Sequence, residues 1–93
     1  MKKYAQDTIC IQGGYEPKNG EPRILPIFQS TTYKYDEADE VAKLFDLEAA
    51  GHMYSRISNP TVEALEKKIA EMEGGVGAMA TSSGQAANLI AIL

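Results

Sequence analysis

The sequence predicts an α/β fold, and three observations predict it. Residues 59–73 form an amphipathic helical stretch bounded by Asn59-Pro60 and Gly74-Gly75. Val76 to Thr81 is short, small and apolar, which suits a buried strand. A further helical stretch begins after the turn residues Ser82-Ser83-Gly84. Helix, strand and helix thus follow one another, as they do in layered α/β proteins.

In chain order, residues 1–30 carry only weak periodicity. Gly13-Gly14, Glu16-Pro17, Asn19-Gly20 and Glu21-Pro22 interrupt them every few residues, so this part reads as an extended, turn-rich arm. Ile24-Leu25-Pro26-Ile27-Phe28 is apolar, but Pro26 lacks a backbone donor, which restricts the run to an edge or an irregular extended segment. Such an arm has little of its own to pack on and suits a place draped over another subunit. Asp36 to Ala50 reads as a helix. Asp36 caps it, and Glu37 and Asp39 sit in the first turn, where the dipole favours acids. Ala38, Val41, Leu44 and Phe45 share a face, and Gly51 stops it.

Met53 to Ser58 reads as short and extended. Asn59 then caps a second helix with Pro60 at its first position, where the missing donor is harmless. Val62, Leu65, Ile69 and Met72 form its apolar stripe, Glu63 and Lys67 make an i,i+4 pair, and Gly74-Gly75 ends it. The helix from Gln85 runs into Leu89-Ile90-Ala91-Ile92-Leu93 without a closing signal. Left exposed, these side chains would be an aggregation hazard. The expectation is an N-terminal fragment, or a chain docked on a complementary piece.

Composition excludes several classes. Hydrophobic content of 44% and charged content of 24% are those of a globular protein rather than a disordered or fibrous one. Thirteen acidic against nine basic side chains, a net charge of −4, argue against nucleic acid as a partner. A single cysteine, Cys10, cannot form an internal disulfide, and a single histidine, His52, excludes a His-rich zinc site. The start carries lysines but no apolar run behind them, so it is not a signal peptide. No stretch approaches the roughly 18 apolar residues of a membrane span. These features read as a cytoplasmic chain with no metal and no membrane partner.

Chemistry has two candidate locations. At Thr81-Ser82-Ser83-Gly84-Gln85 a small-residue turn opens a helix, so backbone N–H groups point outward at the positive end of the dipole. That is a site for phosphate or another anion, with Gly84 allowing close approach and Ser82 or Ser83 adding a hydroxyl. The plain alternative is a serine-capped helix with no ligand. At Tyr54-Ser55-Arg56, residues i and i+2 of an extended segment point the same way, so a phenol and a guanidinium converge on one anion. The plain alternative is a surface arginine paired with a carboxylate beside a tyrosine packed on the core.

Other features read as structural. Gly75-Val76-Gly77-Ala78-Met79-Ala80 satisfies a loose G-x-G-x-x-A, but a helix precedes it and a strand follows, the reverse of the dinucleotide fingerprint. A serine nucleophile lacks G-x-S-x-G around Ser82 and Ser83. His52 reads as a solvated residue at a helix end, and Cys10 as a small apolar packing residue.

The stretches Tyr54-Ser55-Arg56-Ile57-Ser58-Asn59-Pro60-Thr61 and Ala80-Thr81-Ser82-Ser83-Gly84-Gln85-Ala86-Ala87 together resemble the Cys/Met-metabolism family of pyridoxal-phosphate (PLP) enzymes. The resemblance runs from about Thr8 to Leu93. Gln12-Gly13-Gly14-Tyr15-Glu16-Pro17, Pro26 to Asp36, Ala42 to Leu47, and Gln85 are similar to the O-acetylhomoserine sulfhydrylases of that family.

The resemblance implies PLP fold type I, the aspartate-aminotransferase-like fold. Residues 1–58 would be an N-terminal arm and dimer-contact segment, and 59–93 the start of the PLP-binding large domain with the first strand of its sheet. It implies PLP as cofactor and a homo-oligomer, a dimer of dimers. The remainder of the same polypeptide would complete the fold. Ser83, Gly84 and Gln85 would hold the cofactor phosphate within one subunit, with the backbone N–H groups of Gly84 and Gln85 as donors. Tyr54 and Arg56 would reach the phosphate of the neighbouring subunit, with Tyr54 also a candidate for proton handling near the substrate.

The Schiff-base lysine of the family lies beyond residue 93. The implied reaction is replacement of the acetoxy group of O-acetyl-L-homoserine by sulfide or a thiol. Cystathionine γ-synthase and the methionine or cystathionine γ-lyases are the alternatives within the family. A non-catalytic anion-binding or assembly fragment is the alternative outside it.

Overall fold

The computed structural model describes residues 4–93; the first three residues of the expected arm lie outside them. Four helices follow in order, α1 Gln6–Gln12, α2 Ala38–Phe45, α3 Pro60–Glu73 and α4 Gly84–Ile92. Among the described residues no helix is long and apolar enough to cross a membrane. Nor is there a β-ladder, and one isolated antiparallel bridge joins Thr32 to Tyr54.

The longest helix, α3, follows its local signals at both ends. The Asn59 side chain accepts from the Thr61 N–H at 2.9 Å, and Pro60 occupies the first turn. At the far end Gly74 takes the left-handed conformation at φ 69°. The Gly75 N–H reaches the Ala70 carbonyl at 2.9 Å and the Gly74 N–H reaches Glu71 at 3.3 Å, the paired bonds of a Schellman closure. On the wet face Lys67 Nζ lies 2.9 Å from Glu63 Oε1, the i,i+4 pair read from the sequence.

The arm is not extended at its start. Its first part is α1, a helix whose N-cap Ala5 makes no side-chain bond and which carries the β-branched Thr8, Ile9 and Ile11. Short helices with poor propensity persist through tertiary docking rather than local preference. Here α1 packs on α3. Gln6 Nε2 donates to the Met72 carbonyl at 3.3 Å, Lys68 Nζ to the Cys10 carbonyl at 3.0 Å, and the Gly14 N–H to Glu71 Oε1 at 3.3 Å. The docking turns Thr8 and Ile9 partly inward and leaves Cys10 exposed, which corrects its reading as a packing residue.

Gly14, just past the end of α1, lies close against the backbone of α3. Its φ is +82°, and a Cβ placed there would lie 2.1 Å from the Ala64 carbonyl oxygen. Backbone cannot yield as a flexible side chain can. Gly14→Ala is expected to lift α1 from α3 and to cost about 3 kcal/mol or more, the upper range for single substitutions. Thermal melting of the complete protein checks this, and an unchanged midpoint would contradict it.

Helix α2 is shorter than the sequence suggested. Asp36 does not cap it; its carboxylate pairs with Lys34 Nζ at 2.7 Å, and Glu37 occupies the cap position without a side-chain bond. The helix closes at residues 46–49, not at Gly51. Leu47 turns left-handed at φ 61°, and the Glu48 and Ala49 N–H groups fold back on the Lys43 carbonyl at 2.8 and 3.3 Å. Gly51 serves close packing instead, since a Cβ there would meet Leu44 Cδ2 at 3.0 Å and the Tyr35 hydroxyl at 3.1 Å.

The segment read as the first strand, residues 76–81, lacks regular structure and is exposed. A strand is defined by pairing, and nothing within residues 4–93 pairs with this one. Its Ala80 N–H donates instead to Glu66 Oε2 at 2.7 Å. The apolar run through Ile24 to Phe28 is irregular, as Pro26 dictates, and is tied to α3 by Thr61. The Thr61 hydroxyl donates to the Pro26 carbonyl at 3.2 Å, and its oxygen accepts from the Phe28 N–H at 2.9 Å.

Leu44 is the one buried hydrophobic side chain among the described residues. The α3 stripe stays open, with Leu65 52% and Ile69 42% exposed. The accessible surface of 8073 Å² exceeds the roughly 5,300 Å² of a folded monomer of this mass. The radius of gyration, 15.3 Å, exceeds the roughly 12 Å of a compact domain of this length.

Candidate anion site on two elements

The first group sits on a turn rather than an extended run. The N–H groups of Ile57 and Ser58 both donate to the Tyr54 carbonyl, at 2.9 and 3.0 Å, so the chain curls through Ser55 and Arg56. The turn is hung from the segment before α2. The Ser55 N–H donates to the Thr31 carbonyl at 2.8 Å, the Tyr33 N–H to the Met53 carbonyl at 3.3 Å, and the Ser55 hydroxyl to the Ser30 carbonyl. Asn59 secures it from the other side, its Nδ2 donating to Ser55 Oγ at 3.1 Å and to the Phe28 carbonyl at 3.0 Å.

The turn still brings Tyr54 and Arg56 together. The guanidinium carbon lies 5.0 Å from the centre of the Tyr54 ring, and Nη2 lies 3.3 Å from the Tyr54 hydroxyl. A guanidinium over an aromatic face gains a cation–π contribution and loses side-chain freedom. The two side chains are therefore adjacent, brought together by a turn and not by i,i+2 alternation. Among the described residues no carboxylate pairs with Arg56.

The second group opens α4. Ser83 Oγ accepts from the Ala86 N–H at 3.1 Å, and the Ser83 carbonyl accepts from the Ala87 N–H at 3.1 Å. Serine capping is thus present, and it leaves two donors over. The N–H groups of Gly84 and Gln85 have no partner among the described residues. A Cβ at Gly84 would meet nothing within 4 Å, and Gly84 and Gln85 are both exposed. No hydrogen bond joins the Tyr54–Arg56 group to the Ser83–Gln85 group among the described residues.

One residue is corrected outright. His52 is half-buried and bonded on both ring nitrogens, not solvated. Nδ1 lies 2.9 Å from Ser58 Oγ, and Nε2 lies 3.0 Å from Glu63 Oε2. A lone histidine read by itself gives no hint of this. The usable signal was Ser58 and Glu63, on the two sides of the Asn59 cap. Among the described residues no cluster could hold a metal ion.

Glu63 accepts from Lys67 as well as facing His52. The Lys67 ammonium, and then His52, hold its carboxyl below the usual glutamate value, against partial desolvation that pushes the other way. A carboxyl lowered in the folded state stabilises above its unfolded pKa, and that contribution is lost as pH falls through the folded pKa. The stability difference between the parent and Glu63→Gln is therefore expected to be largest above the ordinary glutamate range and to shrink as pH falls into and below it. Chemical denaturation of both at neutral and acid pH checks this; a difference that grew on acidification would contradict it.

A sequence profile of the Cys/Met metabolism PLP-dependent enzymes matches residues 7–93. The chain belongs to this family. Within it, the chain is similar to the O-acetyl-L-homoserine sulfhydrylase of Leptospira meyeri, 42% identical over 93 residues, covering 99% of this chain and 21% of the relative. It is 58% identical over 71 residues to the O-acetyl-L-homoserine sulfhydrylase of Corynebacterium glutamicum, covering 76% of this chain and 16% of that protein.

Among solved structures it is similar to one from Campylobacter jejuni, described as an O-acetylhomoserine (thiol)-lyase holding N′-pyridoxyl-lysine-5′-monophosphate. The TM-score is 0.87 with 34% identity, over 96% of this chain and 21% of that one. The chain thus spans about a fifth of the length of the curated relatives it matches. The likeness places its fold with PLP fold type I, of which residues 4–93 show the helical, N-terminal portion.

Proposed function

We propose that this chain supplies a phosphate-binding portion of a PLP-dependent enzyme that replaces the acetoxy group of O-acetyl-L-homoserine. Sulfide or a thiol enters at the γ-carbon, giving homocysteine or methionine, and acetate leaves. The observation that carries the substrate is the 58% identity to an O-acetyl-L-homoserine sulfhydrylase.

The donor set fits the cofactor's phosphate. Two N–H groups on α4, at Gly84 and Gln85, have no partner among the described residues and lie at the positive end of a helix dipole, and among those residues the Ser83 O–H donates to none. Arg56 adds a planar fork that matches phosphate bidentately. When bound, PLP supplies the electron sink for the reaction. The protein side of the mechanism is binding and orientation. Ser83, Gly84 and Gln85 anchor the phosphate and so fix where the cofactor ring lies. Arg56 neutralises phosphate charge, and Tyr54 Oη, held beside it, is the group placed to hold or move a proton near the substrate.

In this reading Tyr54 and Arg56 serve the phosphate of a neighbouring subunit in a cytoplasmic dimer of dimers. Residues 1–58 form the arm and subunit-contact segment, and 59–93 open the cofactor-binding domain. The exposed surface described above is what such an assembly would cover. Assay of the complete enzyme with O-acetyl-L-homoserine plus sulfide, against methionine and against cystathionine, tests the proposal. Acetate and homocysteine release is the expected result; activity in the elimination direction alone would overturn it.

A further inference from the structure

We infer that His52 is a positioning residue for the Tyr54–Arg56 pair, fastening both ends of the turn that carries it; this rests on the phosphate reading above. The turn lies between residues 52 and 58. His52 Nδ1 closes it onto Ser58 Oγ at 2.9 Å, and Nε2 ties it to Glu63 Oε2, in the first turn of α3, at 3.0 Å. Glu63 is itself fixed by Lys67 Nζ at 2.9 Å. The remaining neighbours hold the imidazole in place. The Tyr33 ring packs against it at 6.0 Å between centres, and the Tyr35 hydroxyl donates to the His52 carbonyl at 2.6 Å. The Tyr33 hydroxyl, buried without a partner, offers His52 no competing bond.

The chemistry of the partners lets both hydrogen bonds form in either charge state of the ring. A carboxylate only accepts, so Nε2 carries the proton toward Glu63. In neutral imidazole Nδ1 then accepts from the Ser58 O–H. In the imidazolium Nδ1 donates to the same oxygen, because a hydroxyl rotates to suit either role. Both bonds survive protonation, which suits a brace and not a switch.

The experiment is a double-mutant cycle in the complete enzyme, reading the PLP dissociation constant by titrating apoenzyme with PLP. His52→Ala is expected to weaken PLP binding roughly 2- to 12-fold, the range for one net hydrogen bond. In the Arg56→Ala background it should add little, because the brace acts through that side chain. His52→Gln, which retains a donor toward Glu63, and His52→Asn, which retains a partner for Ser58, should each recover part of the affinity. They also keep the cycle measurable if His52→Ala does not fold. With Arg56→Ala deficient, a His52→Ala effect that is absent or fully additive overturns the positioning role alone. An Arg56→Ala enzyme that keeps PLP as tightly as the parent overturns the phosphate reading, and the His52 assignment with it.

Discussion

Arg56→Ala in the complete enzyme is expected to lose PLP affinity by about 10- to 150-fold, corresponding to about 1.5–3 kcal/mol for one charge-assisted contact. The guanidinium is already stacked at 5.0 Å over Tyr54 and has no carboxylate competing for it among the described residues. Little ordering is left to be done when a phosphate arrives, so most of the contact appears as affinity. Arg56→Lys should restore only part, since an ammonium lacks the bidentate fork and the flat face that rests on the ring. Equilibrium dialysis of PLP from the three enzymes makes the comparison. Equal retention by all three would remove Arg56 from the site.

The second large effect concerns the 93-residue chain taken alone, which is expected to be unfolded or aggregated. Full burial of a large aliphatic side chain contributes roughly 1.5–3 kcal/mol. Among the described residues Leu44, 6% exposed, alone approaches it, while Leu89, Ile90, Ile92 and Leu93 are 50–94% exposed. The ordering cost is still about 1–2 kcal/mol per residue. Circular dichroism and sedimentation velocity on the isolated chain test this. A monodisperse monomer that melts cooperatively would show that α1, α2 and α3 suffice, and would favour a small independent anion-binding domain.

What could be read from the sequence follows where the stabilising interaction is local. Asn59-Pro60, Gly74-Gly75 and Ser83-Gly84 act within a turn of their own positions, so both ends of α3 and the start of α4 were legible. So was the pairing of Glu63 with Lys67. Helix α1 was not, because its reasons to exist are on α3: Gln6, Gly14 and Lys68 reach partners 57 to 66 residues away in the chain. The end of α2 was misread because acidic and apolar residues continue past Phe45, while Leu47 turns left-handed without a glycine to announce it. At the site, the sequence placed Tyr54 beside Arg56 by i,i+2 alternation, where the chain instead makes a turn. The surroundings of His52 were missed because residue type says nothing about which neighbours a fold will supply.

The unpaired run at residues 76–81 also bears on the order of events during synthesis. The α1–α3 docking can form as soon as residue 74 has left the ribosome, since both helices and their fastening residues are then present. Residues 76–81 have no strand partner among the described residues, so any pairing would be with a segment outside 4–93, a contact of long sequence separation. Contacts of that kind slow folding and leave an intermediate open to misassociation in the meantime. The Glu66 carboxylate, at 2.7 Å from the Ala80 N–H, occupies one of the waiting donors. A charged side chain so placed opposes edge-to-edge association.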